Sequence, residues 1–300
     1  MTTTDTMAMA QAILAHHAAT FAPSTAQPVP PLHQGGAAYG AALQACSALG
    51  FIAIDAECVA QAWQRQTDRN GRFDPAQWPD DPRDFGLRGH GGAPGFAPCP
   101  AALGLYAVLP DAAWVGRMAR AGVPTVQLRY KSQDAGAVAR EVRAAVQAVQ
   151  GTPALLFIND HWREAIAAGA YGVHLGQEDL DALQPDELAA IRAAGLRLGV
   201  STHGYAEMVR ADAVGPSYIA MGAVFPTTLK QMATAPQGVA RLAAYARLMR
   251  SYPLVAIGGI GAEQFAEIRR TGVGSIAVVR ALVQAPDPEQ AAADLMRRMA

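Results

Sequence analysis

The sequence is poor in cysteine and carries almost no net charge. Its three cysteines, Cys46, Cys58 and Cys99, are widely spaced and form no C-x-x-C pair, which argues against a disulfide framework or a cysteine-based zinc site. A formal net charge of −1 over 300 residues gives no support for a general attraction to nucleic acid or to a membrane surface. We therefore expect a cytoplasmic protein with reduced thiols that binds neither nucleic acid nor a membrane.

Targeting signals and long apolar runs are also missing from the sequence. The N-terminal stretch MTTTDTMAMAQAILAHHAAT has no basic region followed by an apolar core, so it does not resemble a signal peptide. No uncharged apolar run in the sequence reaches the length needed to cross a bilayer. Hydrophobic residues nevertheless make up 51% of the chain, which is enough for one large domain or for one domain plus an extension.

The first part of the chain differs in character from the rest. Stretches rich in Pro, Gly and Ser, such as FAPSTAQPVPPLHQGG, indicate linkers and turns. The segment DAECVAQAWQRQTDR places Ala56, Val59, Ala60 and Trp63 on one helical stripe. We expect residues 1–98 to form an N-terminal extension of unassigned role, partly helical or disordered, and residues 99–300 to form a separate domain.

From Gly104 onward, short apolar segments alternate with amphipathic helical segments. Such repeated alternation predicts a parallel sheet covered by helices, and eight units predict a closed (β/α)8 barrel of the TIM type. An open doubly wound sheet is the alternative, but no G-x-G-x-x-G follows the first strand. The segments interpreted as strands are GLYAVLP, TVQLRYK, ALLFIND, YGVHLGQ, RLGVS, SYIAMG, PLVAIGGI and SIAVV.

Polar side chains cluster where these predicted strands end, which is the catalytic end of such a barrel. In TVQLRYK, alternation predicts that Gln127, Arg129 and Lys131 face the lumen, while Val126, Leu128 and Tyr130 pack under the helices. Mg²⁺ prefers one or two carboxylates together with waters and phosphate oxygens, so the mouth is predicted to bind Mg²⁺ and a diphosphate. A salt-bridged rim without catalytic function is the alternative. The charged residues expected at the mouth are Arg129, Lys131, Lys230, Arg280, Asp160, Glu178 and Asp179.

A second anionic site is predicted beside the last two strands. Barrels of this kind often bind a phosphomonoester between the loops that follow strands 7 and 8, and AIGGI and SIAVVRAL occupy those positions. Glycine allows the backbone to approach a ligand closely. A Gly-Gly pair alone is equally typical of a tight turn.

The motifs VQLRYK, FIND, GVHLGQEDL, LGVSTH, VFPTTLK, QGVARL, VAIGGI and GSIAVV follow one another on these elements. With them, the region from Gly104 to Ala300 closely resembles the thiamine-phosphate synthase family. The resemblance implies a (β/α)8-barrel transferase of thiamine biosynthesis. It would condense 4-amino-2-methyl-5-hydroxymethylpyrimidine diphosphate with 4-methyl-5-(2-hydroxyethyl)thiazole phosphate, giving thiamine phosphate and diphosphate. Residues 1–98 lie outside the resemblance.

The resemblance also implies roles for individual residues. Asp160 and Asp179 would bind Mg²⁺, and Arg129, Lys131, Lys230 and Ser201 would carry the catalysis. The implied pyrimidine diphosphate site comprises Gln127, Leu128, Arg129, Tyr130, Lys131, Asn159, Ser201 and Lys230. The implied thiazole phosphate site comprises Thr227, Thr228, Leu229, Gly259, Val279 and Arg280.

Three residues depart from the family pattern. Tyr130 replaces a Glu or an aliphatic residue, and strand parity directs it outward, so we expect little effect. Leu229 replaces the second Thr of the usual F-P-T-x-T-K, and Arg280 replaces a Ser. One hydroxyl donor is thereby lost and one cation gained at the thiazole phosphate site, and we expect Arg280 to compensate by pairing with the phosphate.

The expected reaction needs no general base. Cationic groups beside the diphosphate stabilise the charge of the leaving group, and the electron-rich aminopyrimidine can carry the positive charge of a carbocation-like methylene. The thiazole nitrogen is already a nucleophile, which agrees with the lack of a Ser-His-Asp or Cys-His arrangement in the sequence. His174 and His203, at strand ends, are therefore interpreted as hydrogen-bonding supports.

Two other functions stay open at this point. A barrel that only tautomerises the thiazole phosphate would need no diphosphate site, and the joint presence of Lys131, Asp160, Asp179 and Lys230 argues against it. A non-catalytic sensor of phosphorylated ligands, with the extension as a partner-binding arm, belongs to a different class. In each case we expect small-molecule ligands, and a homo-oligomer is compatible with the sequence.

Overall fold

The computed structural model describes residues 3–21, 25–31, 35–92, 95–227 and 235–299. The chain divides into two compact units. One comprises Met1–Arg88 and Gly204–Ala213, and the other comprises Gly89–His203 and Val214–Ala300. The thiols described in the structure are all free. Among the described helices, none combines the length and the apolar character that crossing a bilayer requires.

The N-terminal unit is helical. It contains α1 (Thr3–Phe21), α2 (Ala37–Ala48) and α3 (Ala53–Asn70), so the extension is largely helical where it is described. The stripe predicted on α3 is confirmed, since Ala56, Val59, Ala60 and Trp63 are all fully buried. Their burial supplies the hydrophobic contact that holds short helices together.

An aromatic cluster forms the centre of this unit. The ring of Trp78 lies 4.6 Å from that of Phe21 and 5.3 Å from that of Trp63, measured between centroids. The same unit includes residues 204–213, which form most of the helix Tyr205–Val214. Trp78 Nε1 donates a 2.9 Å hydrogen bond to the hydroxyl of Tyr205 on that helix.

The second unit contains a closed, all-parallel barrel, as the alternating pattern predicted. Its eight strands pair in sequence order, and the first pairs with the last to close the sheet. The strands are β1 (Gly104–Leu109), β2 (Thr125–Leu128), β3 (Leu155–Asn159), β4 (Gly172–Leu175), β5 (Arg197–Thr202), β6 (Tyr218–Met221), β7 (Leu254–Ala256) and β8 (Ser275–Val278).

Helices alternate with these strands along the chain. Several begin at an aspartate whose carboxylate accepts from free backbone N–H groups of the first turn. Asp111 accepts from Trp114 N at 2.8 Å, and Asp134 accepts from Gly136 N at 2.8 Å. The helices are α4 (Ala112–Arg120), α5 (Ala135–Ala148), α6 (Trp162–Ala168), α7 (Gln177–Ala182), α8 (Pro185–Ala193), α9 (Tyr205–Val214), α10 (Gly238–Leu248), α11 (Phe265–Arg269), α12 (Arg280–Val283) and α13 (Pro288–Met299).

Alternate residues of each strand fill the barrel lumen. Tyr106, Phe157 and Tyr218 belong to one buried cluster, and the rings of Phe157 and Tyr218 meet edge to face at 5.1 Å. Gly199 on β5 makes room for this packing, because a Cβ there would lie 2.1 Å from the ring of Tyr218. The floor of the lumen is therefore packed, and open space is left toward the strand ends.

Candidate active site

A cavity of about 860 Å³ opens at the carboxyl ends of the strands. It gathers most of the residues expected to form the two substrate sites. Gln127, Arg129 and Lys131 all line it, as alternation along TVQLRYK predicted. The predicted site residues that line this cavity are Gln127, Arg129, Lys131, Asn159, Asp160, Asp179, Ser201, Thr227, Gly259, Val279 and Arg280.

Two of the expected site residues within the described part of the chain do not line the cavity. Leu128 is buried and Tyr130 is partly buried, and neither lines the space, so the structure does not bring these two predicted residues to the cavity. Thr228, Leu229 and Lys230 lie outside the described residues.

Strand β2 is shorter than its sequence pattern suggested. It ends at Leu128, so Arg129 and Lys131 follow the strand. Arg129 N nevertheless donates a 2.8 Å hydrogen bond to Leu109 O on β1. This hydrogen bond continues the pairing with β1 beyond Leu128, so that Arg129 and Lys131 lie at the mouth of the barrel.

Two carboxylates and a lysine meet at the mouth. Lys131 Nζ lies 2.6 Å from Asp160 Oδ2, and Asp179 on α7 is held by a 3.2 Å hydrogen bond from Gly176 N to its Oδ2. Burial raises the pKa of Asp179, and the negative charge of Asp160 raises it further. Two carboxylates close enough to repel each other favour a bound divalent metal ion between them.

The backbone at Asp160 has an unusual conformation. Its φ of 66° is in the left-handed region, and it is the one non-glycine residue with positive φ among those described. Asp and Asn tolerate this region better than other side chains. Asp160 N donates to His174 O at 3.0 Å, which ties the end of β3 to β4 and aims the carboxylate at the mouth.

The donor set fits magnesium better than zinc. No group of three or more His, Cys, Asp or Glu residues that could hold a metal occurs within the described part of the chain. Zn²⁺ sites in proteins usually use three or four such ligands, whereas Mg²⁺ keeps several waters and binds one or two carboxylates plus substrate phosphates. The Asp160–Asp179 pair therefore suits a hydrated, oxygen-preferring cation that a diphosphate helps to hold.

Ser201 is fixed from two directions at the end of β5. Its hydroxyl lies 2.8 Å from His174 Nε2, and its carbonyl accepts a 2.6 Å hydrogen bond from Gln177 Nε2. His174 is thus a hydrogen-bonding support, as interpreted from the sequence. From the sequence, Gln177 is one of the polar residues that follow strand β4, but it was not predicted to take part in the site.

The loop after β7 approaches the loop after β6 very closely. Gly259 has a φ of 67°, and a Cβ there would lie 2.6 Å from Pro226 O, so this position requires glycine. The contact brings Gly259 near the segment that leads into Thr227. Val279 and Arg280, at the start of α12, line the same cavity. The described residues that were expected to bind thiazole phosphate therefore all line this cavity.

The fold and the cavity define a (β/α)8-barrel enzyme with basic and acidic groups suited to phosphorylated small molecules. The model of the thiamine monophosphate synthase family matches residues 105–282, more than half of the chain. The chain belongs to this family.

Similar curated proteins agree with this membership. The chain is 56% identical to a thiamine-phosphate synthase of Neisseria meningitidis serogroup B over 194 residues, which are 65% of this chain and 93% of that protein. It is 52% identical to a thiamine-phosphate synthase of Salmonella paratyphi B over 203 residues, 68% of this chain and 95% of that protein. Among solved structures, a thiamine phosphate pyrophosphorylase from Pyrococcus furiosus superposes with a TM-score of 0.56 at 30% identity, over 66% of this chain and 95% of that one.

Proposed function

We propose that this chain condenses 4-amino-2-methyl-5-hydroxymethylpyrimidine diphosphate with 4-methyl-5-(2-hydroxyethyl)thiazole phosphate, releasing diphosphate and forming thiamine phosphate. Membership of the family supports the reaction. The observation that carries the assignment of the site is the pairing of Lys131 with Asp160 at 2.6 Å, beside Asp179. Arg129, Ser201 and Arg280 line the same cavity.

Asp160 and Asp179 are the residues that would hold Mg²⁺. When it is bound, Mg²⁺ supplies positive charge to the diphosphate of the pyrimidine substrate. In the structure Lys131 lies against Asp160, so one of the two carboxylates already has a cationic neighbour. That arrangement keeps Lys131 at the place where diphosphate oxygens would enter.

Arg129 and Lys131 bind and neutralise the diphosphate as it leaves. Each charge-assisted hydrogen bond to phosphate contributes about 1.5–3 kcal/mol, and such a bond accelerates the reaction where it strengthens as the C–O bond breaks. Lys230 is assigned to the same task on the family pattern alone. Breaking the bond leaves a methylene cation that is stabilised by the aminopyrimidine ring.

The thiazole nitrogen then attacks this cation without a general base. The protein contributes to this step by orienting the pyrimidine and thiazole rings for the attack. Thr227, Gly259, Val279 and Arg280 would bind the thiazole phosphate, with Thr228 and Leu229 completing the site. Holding the phosphate anchors the thiazole so that its nitrogen faces the methylene carbon.

The test is a coupling assay on the purified full-length protein with both substrates, with and without Mg²⁺. We expect thiamine phosphate to form only when Mg²⁺ and both substrates are present. Asp160→Asn should lower turnover by about 100-fold or more, since the typical loss on removing one charge-stabilising group is 10²–10³. Asp186→Asn, which changes an exposed carboxylate on α8, is the matched control. Full activity of Asp160→Asn would contradict the metal assignment.

The same assay separates the two alternative functions. A tautomerase would convert a thiazole phosphate isomer without consuming pyrimidine diphosphate. A sensor would bind the phosphorylated ligands and release no diphosphate. Formation of thiamine phosphate and diphosphate in equal amounts excludes both.

A further inference from the structure

Four polar side chains form a continuous hydrogen-bonded row from the floor of the barrel to its mouth. The hydroxyls of Tyr106 and Tyr218 lie 2.7 Å apart, and the hydroxyl of Tyr218 lies 2.7 Å from His174 Nδ1. His174 Nε2 then lies 2.8 Å from Ser201 Oγ. The row joins β1, β6, β4 and β5, and only its last member, Ser201, is placed by the proposed function on a substrate.

The direction of the hydrogen bonds in this row follows from counting hydrogens. Tyr106 is 1% exposed, and within the described residues its hydroxyl has Tyr218 as its hydrogen-bond partner. If the hydrogen of Tyr218 pointed to Tyr106, the hydrogen of Tyr106 would find no acceptor among the described side chains, which is unfavourable for a buried hydroxyl. This count of hydrogens favours donation from Tyr106 to Tyr218 and from Tyr218 to His174 Nδ1.

Burial favours the neutral, protonated form of both phenols. Burial raises the pKa of Tyr106 and also that of Tyr218. With Nδ1 accepting from Tyr218, a neutral imidazole carries its hydrogen on Nε2. That hydrogen is then donated to Ser201 Oγ.

We propose that Tyr218 holds His174 in the neutral Nε2–H tautomer, so that Ser201 accepts from His174 and turns its own hydroxyl hydrogen into the cavity to donate to the pyrimidine diphosphate. Ser201 touches the substrate, while His174 and Tyr218 are positioning residues that act through it. The inference rests on the proposed function for the identity of the substrate. The orientation of Ser201 rests on the row itself.

Gln177 supports the same orientation from the other side. Its Nε2 holds the carbonyl of Ser201 at 2.6 Å, which limits movement of the backbone that carries the hydroxyl. With both the carbonyl and the hydroxyl oxygen fixed, the hydroxyl hydrogen is the mobile part of Ser201. The hydrogen bond from His174 leaves the cavity side as the direction for that hydrogen.

The tautomer is tested by ¹⁵N NMR of the histidine rings in the full-length protein, without substrates. The signal of His174 is the one missing from the His174→Gln variant. We expect the neutral Nε2–H form in the unmodified protein and in Tyr106→Phe, and a mixture with the Nδ1–H form in Tyr218→Phe. An Nδ1–H ring or a doubly protonated ring in the unmodified protein would overturn the proposal.

Steady-state kinetics test whether the tautomer of His174 affects kcat/KM for the pyrimidine diphosphate. Tyr218→Phe should lower kcat/KM for the pyrimidine diphosphate by about tenfold, which equals about 1.4 kcal/mol, and should leave KM for the thiazole phosphate unchanged. In a Ser201→Ala background the same substitution should have no further effect, because the positioned group is gone. Additive losses in the double variant would overturn the proposal.

Two further variants separate positioning from loss of folding. His174→Gln can keep an N–H near Ser201 and should retain more activity than His174→Leu. Tyr252→Phe removes a hydroxyl from a buried tyrosine outside the row and should keep full activity. The NMR result does not depend on turnover, so absence of thiamine phosphate in the unmodified protein would refute the proposed function and leave the tautomer assignment standing.

Discussion

At the scale of single residues, Asp160 has an unusual backbone conformation and also belongs to the proposed metal site. Its φ of 66° costs an ordinary side chain roughly 1–2 kcal/mol, and glycine avoids that cost. Asp160→Gly and Asp160→Ala both remove the carboxylate and its contact with Lys131. The two variants differ in the cost of the left-handed backbone conformation at position 160, which is low for glycine and higher for alanine.

We therefore predict that Asp160→Gly is more stable than Asp160→Ala by about 1 kcal/mol. The measurement is the free energy of unfolding from urea titrations of the two variants. The matched control is Asp186, in the first turn of α8, where the order should reverse because alanine favours a helix. Equal stability of the two variants at position 160 would contradict the left-handed backbone.

Arg280 offers a second prediction at this scale. It lines the cavity at a position where the resemblance to the family leads us to expect serine. We predict that Arg280→Ser raises KM for the thiazole phosphate by about tenfold or more, since hydrogen bonds to charged groups contribute about 1.5–3 kcal/mol. KM for the pyrimidine diphosphate should not change. Steady-state kinetics with each substrate varied in turn provide the measurement.

The control for Arg280 is Arg270→Ser, which removes an exposed arginine after α11 and should leave both Michaelis constants unchanged. An unaltered KM for thiazole phosphate in Arg280→Ser would refute the idea that this cation replaces the missing hydroxyl. Recovery of tight binding in Arg280→Lys would show that positive charge alone is sufficient.

At the scale of elements, local patterns predicted most of the barrel. Alternation and apolar runs placed all the strands, and the polar residues that follow them meet at one edge because parallel strands bring their carboxyl ends together. The row from Tyr106 to Ser201 was not predicted. Tyr106 and Tyr218 are 112 residues apart, and only closure of the barrel brings their hydroxyls together, so no short-range pattern signals the contact.

In the N-terminal unit, helix α1 contains a buried histidine, His17, through which the stability of the unit is expected to depend on pH. His17 Nε2 lies 3.0 Å from Pro75 O, and its ring meets those of Trp63 and Trp78 edge on at 6.0 Å and 5.1 Å. Burial lowers the pKa of His17 from its usual 6.5, and the neighbouring His16 also lowers it. The folded unit therefore binds the proton less readily than the unfolded chain does.

The expected result is that the N-terminal unit loses stability as the pH falls below about 6.5, the ordinary histidine value, and keeps it above that pH. Urea unfolding followed by tryptophan fluorescence between pH 5 and 7.5 (about one unit on either side of this value) is the measurement. His17→Gln should flatten the dependence, whereas His16→Gln, at an exposed position, should weaken it only slightly, because His16 is the smallest of the causes that act on the pKa of His17. A dependence that persists in His17→Gln would assign it to another group.

At the scale of the whole molecule, residues of the N-terminal extension make contacts with α9, a helix that the sequence pattern assigned to the barrel. Asp55 Oδ1 accepts a 2.9 Å hydrogen bond from Ala206 N, in the first turn of α9, and Asp212 Oδ2 of α9 accepts one of 2.7 Å from Arg88 N. The ring of Tyr205 stacks on that of Phe85 at 5.4 Å. These contacts join residues more than a hundred positions apart, so helical periodicity could predict α9 but could not predict its partners.

These contacts predict that a chain starting at Pro100 is less stable than the full-length protein, although it keeps every described residue that lines the cavity. Without Asp55, the backbone N–H of Ala206 loses its acceptor, a loss that typically costs about 1 kcal/mol at a helix start. Tyr205 loses its aromatic neighbours as well. Thermal unfolding of the two chains, together with the Mg²⁺-dependent coupling assay, provides the measurement.

Asp55→Ala in the full-length chain removes the carboxylate that accepts from Ala206 N, and Asp68→Ala, at an exposed position on the same helix, is its control. We expect Asp55→Ala to lower Tm by less than truncation does, and Asp68→Ala to change it little. Since Ser201 precedes α9 by only a few residues, loosening the start of that helix should also raise KM for the pyrimidine diphosphate in the truncated chain. A truncated chain with unchanged Tm and unchanged KM would show that α9 needs none of these partners.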